Sequence, residues 1–242
     1  MFMVEVGIVL GVVRLLVGVI ILSYASYTDI KTRKASNLNW LVMGGIGGIL
    51  LAIQYFTIGF GDQINYLIFI PIMIGLVYLL FQMRLIFGGA DAKALMALAI
   101  LAPIEPSIYE YPIFNGSLMP FSWSIFSNSI IIFLFIPLSL FVFNLLKRNI
   151  GFPYCFLGYK MKISKAREKF VWPLEKIVDG KQKFAYMPKD FDVTEELNEF
   201  EKLGISEIWV TPKIPFMIPL LFGFICAFIL GDILFYLMSL FV

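Results

Sequence analysis

The chain has 242 residues, of which 60% are hydrophobic and 15% charged, and its mean hydropathy is +0.88. This composition excludes an ordinary soluble domain and indicates that a bilayer is the main solvent of the protein. The formal net charge of +2 gives no sign of a nucleic-acid partner.

Six apolar segments are long enough to cross the hydrocarbon core, which takes about 20 residues of helix. They are predicted near residues 5–28, 38–58, 64–83, 85–104, 124–146 and 214–240. A charged segment, 148–213, separates the fifth from the sixth. The sequence therefore predicts an α-helical polytopic membrane protein, with helices one to five in residues 1–147, a soluble insert in 148–213 and helix six in 214–242.

The positive charges in the connecting segments alternate with the spans. Lysine and arginine are concentrated on one side, at Lys31, Arg33, Lys34, Arg84, Lys147, Arg148 and Lys213. The loops on the other side, around 59–63 and 105–123, contain neither residue. By the positive-inside rule, both termini should face outward and the insert should lie in the cytoplasm.

The insert has the pattern of a small α+β unit. Its Asp179-Gly180 dipeptide, between two runs of alternating residues, favours a β-hairpin. A run from Thr194 to Leu203, ended by Gly204, predicts a short amphipathic helix. Ser206 to Thr211 predicts a further strand, and a unit of this size would be marginal without the membrane part.

Carboxylates are the leading catalytic candidates in this chain. The absence of histidine excludes Ser-His hydrolases and His-ligated zinc proteases. The two cysteines, Cys155 and Cys226, are too far apart in sequence for a paired zinc motif. We therefore expect no metal and no cofactor.

Two aspartates flank the membrane on the predicted cytoplasmic side, Asp29 at the end of span one and Asp91 at the start of span four. Ionisable residues at a membrane are costly to keep, so each needs a reason. Carboxylates at similar depth on separate helices can share a proton, which makes one a general base and the other a general acid. The alternative is structural: Asp91 as a helix N-cap and Asp29 as a solvated interfacial anion.

Three neighbours of Asp91 complete the candidate site. Gly88 and Gly89 leave room for the close approach of an extended peptide backbone, or form only a loose turn between two spans. Lys93 either tunes and positions the aspartate pair or is an ordinary lysine extending to the interface.

Two further charges fall inside predicted spans. At 1.5 Å per helical residue, Arg14 and Asp232 lie at comparable depth, roughly 22 Å and 28 Å from the predicted cytoplasmic face. Because neither should face lipid alone, we expect them to pair or to share a polar pocket between spans one and six.

The segment Gly88-Gly89-Ala90-Asp91-Ala92-Lys93 resembles the Gly-x-Gly-Asp signature of membrane aspartyl proteases. The segment from Asp29 to Asn37 resembles the first-aspartate motif of prepilin peptidases, and the six-span layout is similar to that of their archaeal preflagellin peptidase branch. Ala90 replaces the second glycine of the signature, and Ala35-Ser36 stands where bacterial relatives have Ile-Pro. Neither departure removes a carboxylate.

The resemblance implies an aspartic endopeptidase with Asp29 and Asp91 as catalytic residues and Lys93 as a motif residue. Its implied substrates are preflagellin or pilin-like precursors, cleaved between a short basic leader and an apolar helix on the cytoplasmic side. Methyl transfer is not expected, since the cysteine-rich insert of the bifunctional bacterial enzymes is missing.

Two other classes of protein remain as alternatives. A small ion- or proton-coupled transporter would use Arg14, Asp29, Asp91 and Asp232 as a relay, but no ladder of polar residues joins Asp232 to the pair. A noncatalytic membrane assembly factor would explain the insert but not the paired aspartates.

Overall fold

The computed structural model describes residues 2–86, 88–106, 108–114, 117, 119–178, 180–185 and 193–241. The helices are α1 (Phe2–Thr32), α2 (Asn37–Thr57), a 3₁₀ helix (Gly61–Ile68), α3 (Phe69–Gln82), α4 (Gly89–Leu101), α5 (Phe121–Leu146), α6 (Tyr154–Leu157), α7 (Ile163–Ala166), α8 (Thr194–Lys202), α9 (Met217–Ile229) and α10 (Ile233–Ser239). The strands are β1 (Tyr159–Lys162), β2 (Val171–Pro173), β3 (Glu175–Val178), β4 (Lys181–Phe184) and β5 (Glu207–Pro212).

In the described part of the chain, four helical segments are long and apolar enough to cross a membrane: α1, α2, the 3₁₀ helix with α3, and α5. The protein is thus mostly helical, as a polytopic membrane protein should be. The fourth predicted span corresponds to α4, which has only 13 residues. The sixth is divided into α9 and α10. The count of six spans therefore remains a proposal.

The division of the last predicted span lies at Gly231 and Asp232. Gly231 has φ +90°, and a Cβ there would collide with the carbonyl oxygen of Phe114. Asp232 then caps α10 by accepting a hydrogen bond from the Phe235 amide at 3.0 Å. Asn128 of α5 holds both sides of the break, donating to the Gly231 carbonyl at 2.8 Å and accepting from the Ile233 amide at 3.1 Å. Hydropathy alone did not reveal this break.

The chain divides into two compact units, residues 1–133 with 215–242 and residues 134–214. The division falls inside α5, near Pro137, whose missing amide leaves the helical carbonyl four residues earlier without its partner. The compact second unit thus begins 14 positions before the predicted insert at residue 148.

In the first unit, α2 and α4 pack in parallel through small residues. A Cβ on Gly47 would come within 2.7 Å of the Leu101 Cα, and a Cβ on Gly44 would contact Ala97 and Ile100. Contact positions rise together along both helices, which shows that the helices run in the same direction. Close backbone approach of this kind is typical of membrane helix packing.

Three helices end at an arginine in the left-handed conformation: Arg33 after α1, Arg84 after α3 and Arg148 after α5, with φ of 55°, 58° and 57°. The amides of Leu85 and Asn149 bond to carbonyls five residues earlier, as in Schellman motifs. In each case a charged side chain occupies the position where glycine is the usual residue.

The second unit contains the predicted α+β region. β1, β5 and β2 form an antiparallel sheet in that order, and β3 pairs with β4 as a hairpin. The predicted helix is present as α8, and the predicted last strand is present as β5. Asp179, half of the predicted turn dipeptide, lies outside the described residues. Leu197 and Phe200 of α8 are buried in a core with side chains of the sheet and α7.

Candidate active site

Asp29 lies within the last turn of α1. The helix continues beyond the predicted span to Thr32, and the carboxylate is half-buried. The Asp29 carbonyl accepts the amide of Arg33 at 2.9 Å, so that Arg33 closes the helix. The Arg33 cation is near enough to attract the Asp29 carboxylate. Asp29 is therefore tied to a helix end and a fixed positive charge.

Asp91 is the third residue of α4. Gly88 occupies the N-cap position, so the alternative reading of Asp91 as the cap is wrong. The half-buried carboxylate lies in the first helical turn, where the partial positive charge of the helix N-terminus favours an anion. This placement stabilises a carboxylate without saturating it.

The two glycines before Asp91 differ in the space around them. A Cβ on Gly88 would collide with a carboxylate oxygen of Asp91 and come within 2.7 Å of its Cγ. A Cβ on Gly89 would meet only the Phe81 ring, at 3.7 Å, which is an ordinary contact. The space beside Gly88 is thus taken by the aspartate itself, a different use from the expected approach of a peptide backbone.

The charges of Asp29 and Asp91 are close enough to repel each other. Among the described residues, neither carboxylate accepts a hydrogen bond from a side chain or backbone amide. Their lone pairs are therefore available to water, to a shared proton or to a peptide. Two such groups can act as a general acid and a general base.

Lys93 links the Asp91 helix to its neighbour. Its Nζ donates to Oδ1 of Asn37, the first residue of α2, at 2.8 Å, and the lysine is exposed. Ser36 caps α2, accepting the Leu38 amide at 3.3 Å. Asn37 is the last residue of the segment that resembles the first-aspartate motif, but the sequence analysis predicted no separate role for it.

A cavity of about 460 Å³ lies next to Thr28, the residue before Asp29 in the chain. Its lining comprises Tyr24, Thr28, Thr32, Lys34, Ala35, Ser36 and Asn37. Thr28 and Thr32 donate their hydroxyl protons to helix carbonyls at 3.0 and 2.8 Å. Each hydroxyl oxygen can still accept a hydrogen bond from a ligand. The cavity offers polar space one residue away from a candidate catalytic group.

Arg14 and Asp232 are both buried, at 5% and 4% exposure, but no ion pair joins them. Asp232 accepts hydrogen bonds from the hydroxyls of Ser117 and Ser124 at 2.9 and 3.0 Å. Nε and Nη2 of Arg14 have no hydrogen-bond partner among the described residues. The expected direct pair is therefore absent from this structure, and a shared polar pocket remains a proposal.

The polar residues around Asp232 were missed in the sequence. Ser124 and Asn128, with their buried neighbours Ser127 and Ser129, lie in one stretch of an apolar span. Clustered serines and an asparagine inside a membrane helix are a detectable signal of an internal hydrogen-bond partner. That signal predicts a polar neighbour but does not identify Asp232.

Two family models match the chain. The model described as the type IV leader peptidase family matches residues 16–146, which include Asp29 and Asp91. The model described as archaeal peptidase A24 C-terminus type II matches residues 151–233.

Preflagellin peptidases from three organisms are similar to this chain over most of their length. Preflagellin peptidase of Methanococcus voltae is 27% identical, with 89% of this chain and 94% of the relative covered. Preflagellin peptidases of Methanococcus maripaludis and Methanocaldococcus jannaschii are each 28% identical, with 91% of this chain and 96% and 94% of the relatives covered. Since the first model spans more than half of the chain, the chain belongs to the type IV leader peptidase family.

Proposed function

We propose that this protein is a membrane aspartyl endopeptidase that removes the leader peptide of preflagellin or pilin-like precursors, with Asp29 and Asp91 as its catalytic residues. The observation that carries this proposal is the pair of half-buried carboxylates, on two helices, whose charges interact and whose lone pairs are unoccupied among the described residues. The similarity to three preflagellin peptidases supports the substrate class.

The reaction needs one ionised and one protonated aspartate. The ionised carboxylate takes a proton from water as the water oxygen attacks the scissile carbonyl carbon, and the protonated carboxyl donates its proton to the carbonyl oxygen. The resulting diol collapses when the first carboxyl protonates the amide nitrogen and the second takes back a hydroxyl proton. Each aspartate reverses its role between the two steps and ends in its starting protonation state, so no proton is gained or lost overall.

The orientation that suits this reaction places both aspartates at the cytoplasmic face, with six spans, outward termini and a cytoplasmic insert. The alternation of lysine and arginine between the connecting segments supports it. A basic leader would stay in the cytoplasm while the apolar helix behind it enters the bilayer. The scissile bond would then lie at the depth of the aspartates.

The cavity beside Asp29 is the proposed entry for the substrate backbone. Thr28 and Thr32, which flank Asp29 on α1, line it together with the connection to α2. An extended peptide has unpaired amide groups, which need acceptors such as these hydroxyl oxygens when they leave water.

The test is cleavage of a purified preflagellin by the purified protein in detergent, followed by mass spectrometry of the new N-terminus. We expect Asp29→Asn and Asp91→Asn each to lower kcat about 10²- to 10⁴-fold, the range for loss of a general acid or base. Substrate binding should be retained.

Asp62→Asn is the matched control, because Asp62 is an exposed carboxylate in the 3₁₀ helix. It should cleave at the rate of the unmodified protein. Full activity in either Asp29→Asn or Asp91→Asn would overturn the two-carboxylate mechanism. A lack of cleavage by the unmodified, folded protein would count against the substrate class.

A further inference from the structure

The first turn of α4 is joined to α2 by a single side-chain hydrogen bond in the described part of the chain, from Lys93 Nζ to Asn37 Oδ1 at 2.8 Å. At the far end of the same helix pair, Gly47 lies against the backbone of Leu101. At the end that carries Asp91, Ala92 and Leu95 are buried in the same apolar core as Trp40 of α2, and the polar contact adds to this packing.

The contact completes a short path of covalent bonds and one hydrogen bond between the two aspartates. The chain runs from Asp29 to Asn37 in eight steps, crosses the hydrogen bond to Lys93, and returns to Asp91 in two more. Most of the residues on this path are held in helices. Residues up to Thr32 are helical, Asn37 begins α2, and only residues 33–36 lie between the helices.

The backbone of the connection is itself restrained. Arg33 adopts φ 55°, a conformation that costs a non-glycine residue about 1–2 kcal/mol and that persists only when its surroundings enforce it. Ser36 fixes the start of α2 through its cap. With the connection and the apolar core held, this hydrogen bond is the described polar contact whose loss would let the first turn of α4 shift relative to α2.

We propose that Asn37 is a positioning residue that holds Asp91 at its working separation from Asp29 by binding Lys93. This inference rests on the proposed function of the two aspartates. Asparagine suits the role because its side-chain oxygen accepts a proton of the lysine ammonium group.

The kinetic test is a double-mutant cycle of Asn37→Leu, Lys93→Met and the double variant. We expect each single variant to lower kcat about tenfold or more with KM changed less than about twofold, since geometry errors near the chemistry act on the reacting state. The double variant should be no slower than the slower single variant, because both remove the same bond. Losses that multiply in the double variant, or a rise in KM alone, would overturn the inference.

Two further variants separate positioning from a loss of structure. Asn39→Leu makes the same change two residues later, where the structure shows no side-chain hydrogen bond to the described residues, and it should keep the original kcat. Asn37→Asp retains an acceptor and should recover most of the kcat that Asn37→Leu loses. Equal losses in Asn39→Leu and Asn37→Leu, or no recovery in Asn37→Asp, would indicate a general packing effect instead.

A distance measurement keeps this test independent of the substrate. Spin labels at Ile30→Cys and Leu85→Cys, both exposed positions, report on the ends of α1 and of the segment leading into α4 once Cys155 and Cys226 are replaced. We expect the Asn37→Leu variant to broaden the distance distribution. An unchanged distribution would overturn the inference, whereas failure of the unmodified protein to cleave preflagellin would overturn the proposed function alone.

Discussion

Two carboxylate environments in the first unit differ in how their oxygens are used. Asp232 is 4% exposed and accepts hydrogen bonds from Ser117, Ser124 and the Phe235 amide. Asp29 and Asp91 are half-buried and accept none from the described residues. Buried polar groups are normally hydrogen-bonded, as Asp232 is, whereas the half-buried aspartate pair has no such donors among the described residues. A saturated carboxylate holds structure together, whereas an unsaturated one is available for chemistry.

This difference also separates effects on stability from effects on activity. Removing a saturated carboxylate leaves its donors without partners, each at a cost of about 1–3 kcal/mol. Removing a carboxylate that accepts few hydrogen bonds leaves few donors without a partner. Changes around Asp232 should therefore lower stability, and changes around Asp91 should lower activity.

Among the variants that test this comparison, the largest effect is expected from Gly88→Ala. The added methyl group would overlap the Asp91 carboxylate and force it to another rotamer, so kcat should fall about 100-fold, as for a misplaced catalytic group. Gly89→Ala adds the same methyl group at ordinary contact distance from Phe81, so its kcat should fall less than about threefold. Initial rates of preflagellin cleavage and thermal unfolding of both variants give the comparison.

Similar activity in the two alanine variants would show that the space beside Gly88 is not needed by Asp91. A large fall in Tm for Gly88→Ala alone would also break the comparison, because the aspartate site would then be structural.

The second effect is on stability. Asp232→Ala leaves two serine hydroxyls and the Phe235 amide without their acceptor, so we expect a loss of about 3 kcal/mol or more, and a Tm lower by roughly 6–12 °C. Below its Tm, the variant should cleave preflagellin at nearly the original kcat. Asp232→Asn keeps one oxygen acceptor, so its Tm should lie between those of Asp232→Ala and the original protein.

An Asp232→Ala protein with normal Tm but no cleavage would reverse the assignment of the two carboxylate sites. The comparison is therefore open to contradiction from either side.

The smallest effect concerns Glu105, at the end of the segment that follows α4. Burial raises the pKa of the Glu105 carboxyl, and the charge of Asp232 raises it further. A carboxyl with a higher pKa in the folded state adds stability at low pH, and this contribution is lost as the pH rises through the folded pKa. Glu105→Gln removes that pH dependence. We expect its Tm to exceed that of the original protein by about 1–3 °C at pH 8 and to match it near pH 4.

Thermal unfolding in detergent across this pH range checks the Glu105 prediction. Parallel curves for the two proteins would show that Glu105 titrates as it does in the unfolded chain.

The sequence predicted what hydropathy and local signals determine. The long apolar helices, the α8 helix and the β5 strand are present close to their predicted positions. The peptidase family follows from two motifs read together, a prediction that the family match confirms. The site residues Asp29, Asp91, Gly88, Gly89 and Lys93 remain predictions, because no comparison assigns them a role.

The remaining features depend on contacts between distant residues. The break at Asp232 requires Asn128 and Ser124, which lie more than 100 positions earlier and cannot be recognised as its partners from one sequence. The same limit applies to Arg14, for which depth along the helix suggested a pair with Asp232 but could not give the direction of either side chain. The Lys93 bond to Asn37 likewise joins residues 56 positions apart.

The left-handed arginines after α1, α3 and α5 have a consequence for how the chain is made. Glycine would adopt this conformation with about 1 kcal/mol less strain, but it would carry no charge. As each apolar helix leaves the ribosome and enters the insertion machinery, its end is marked by a cation that the backbone holds in place. In the proposed orientation these charges lie on the cytoplasmic side, where lysine and arginine oppose translocation. Replacing these arginines by glycine should therefore yield a more stable helix end and a larger fraction of molecules inserted the wrong way round.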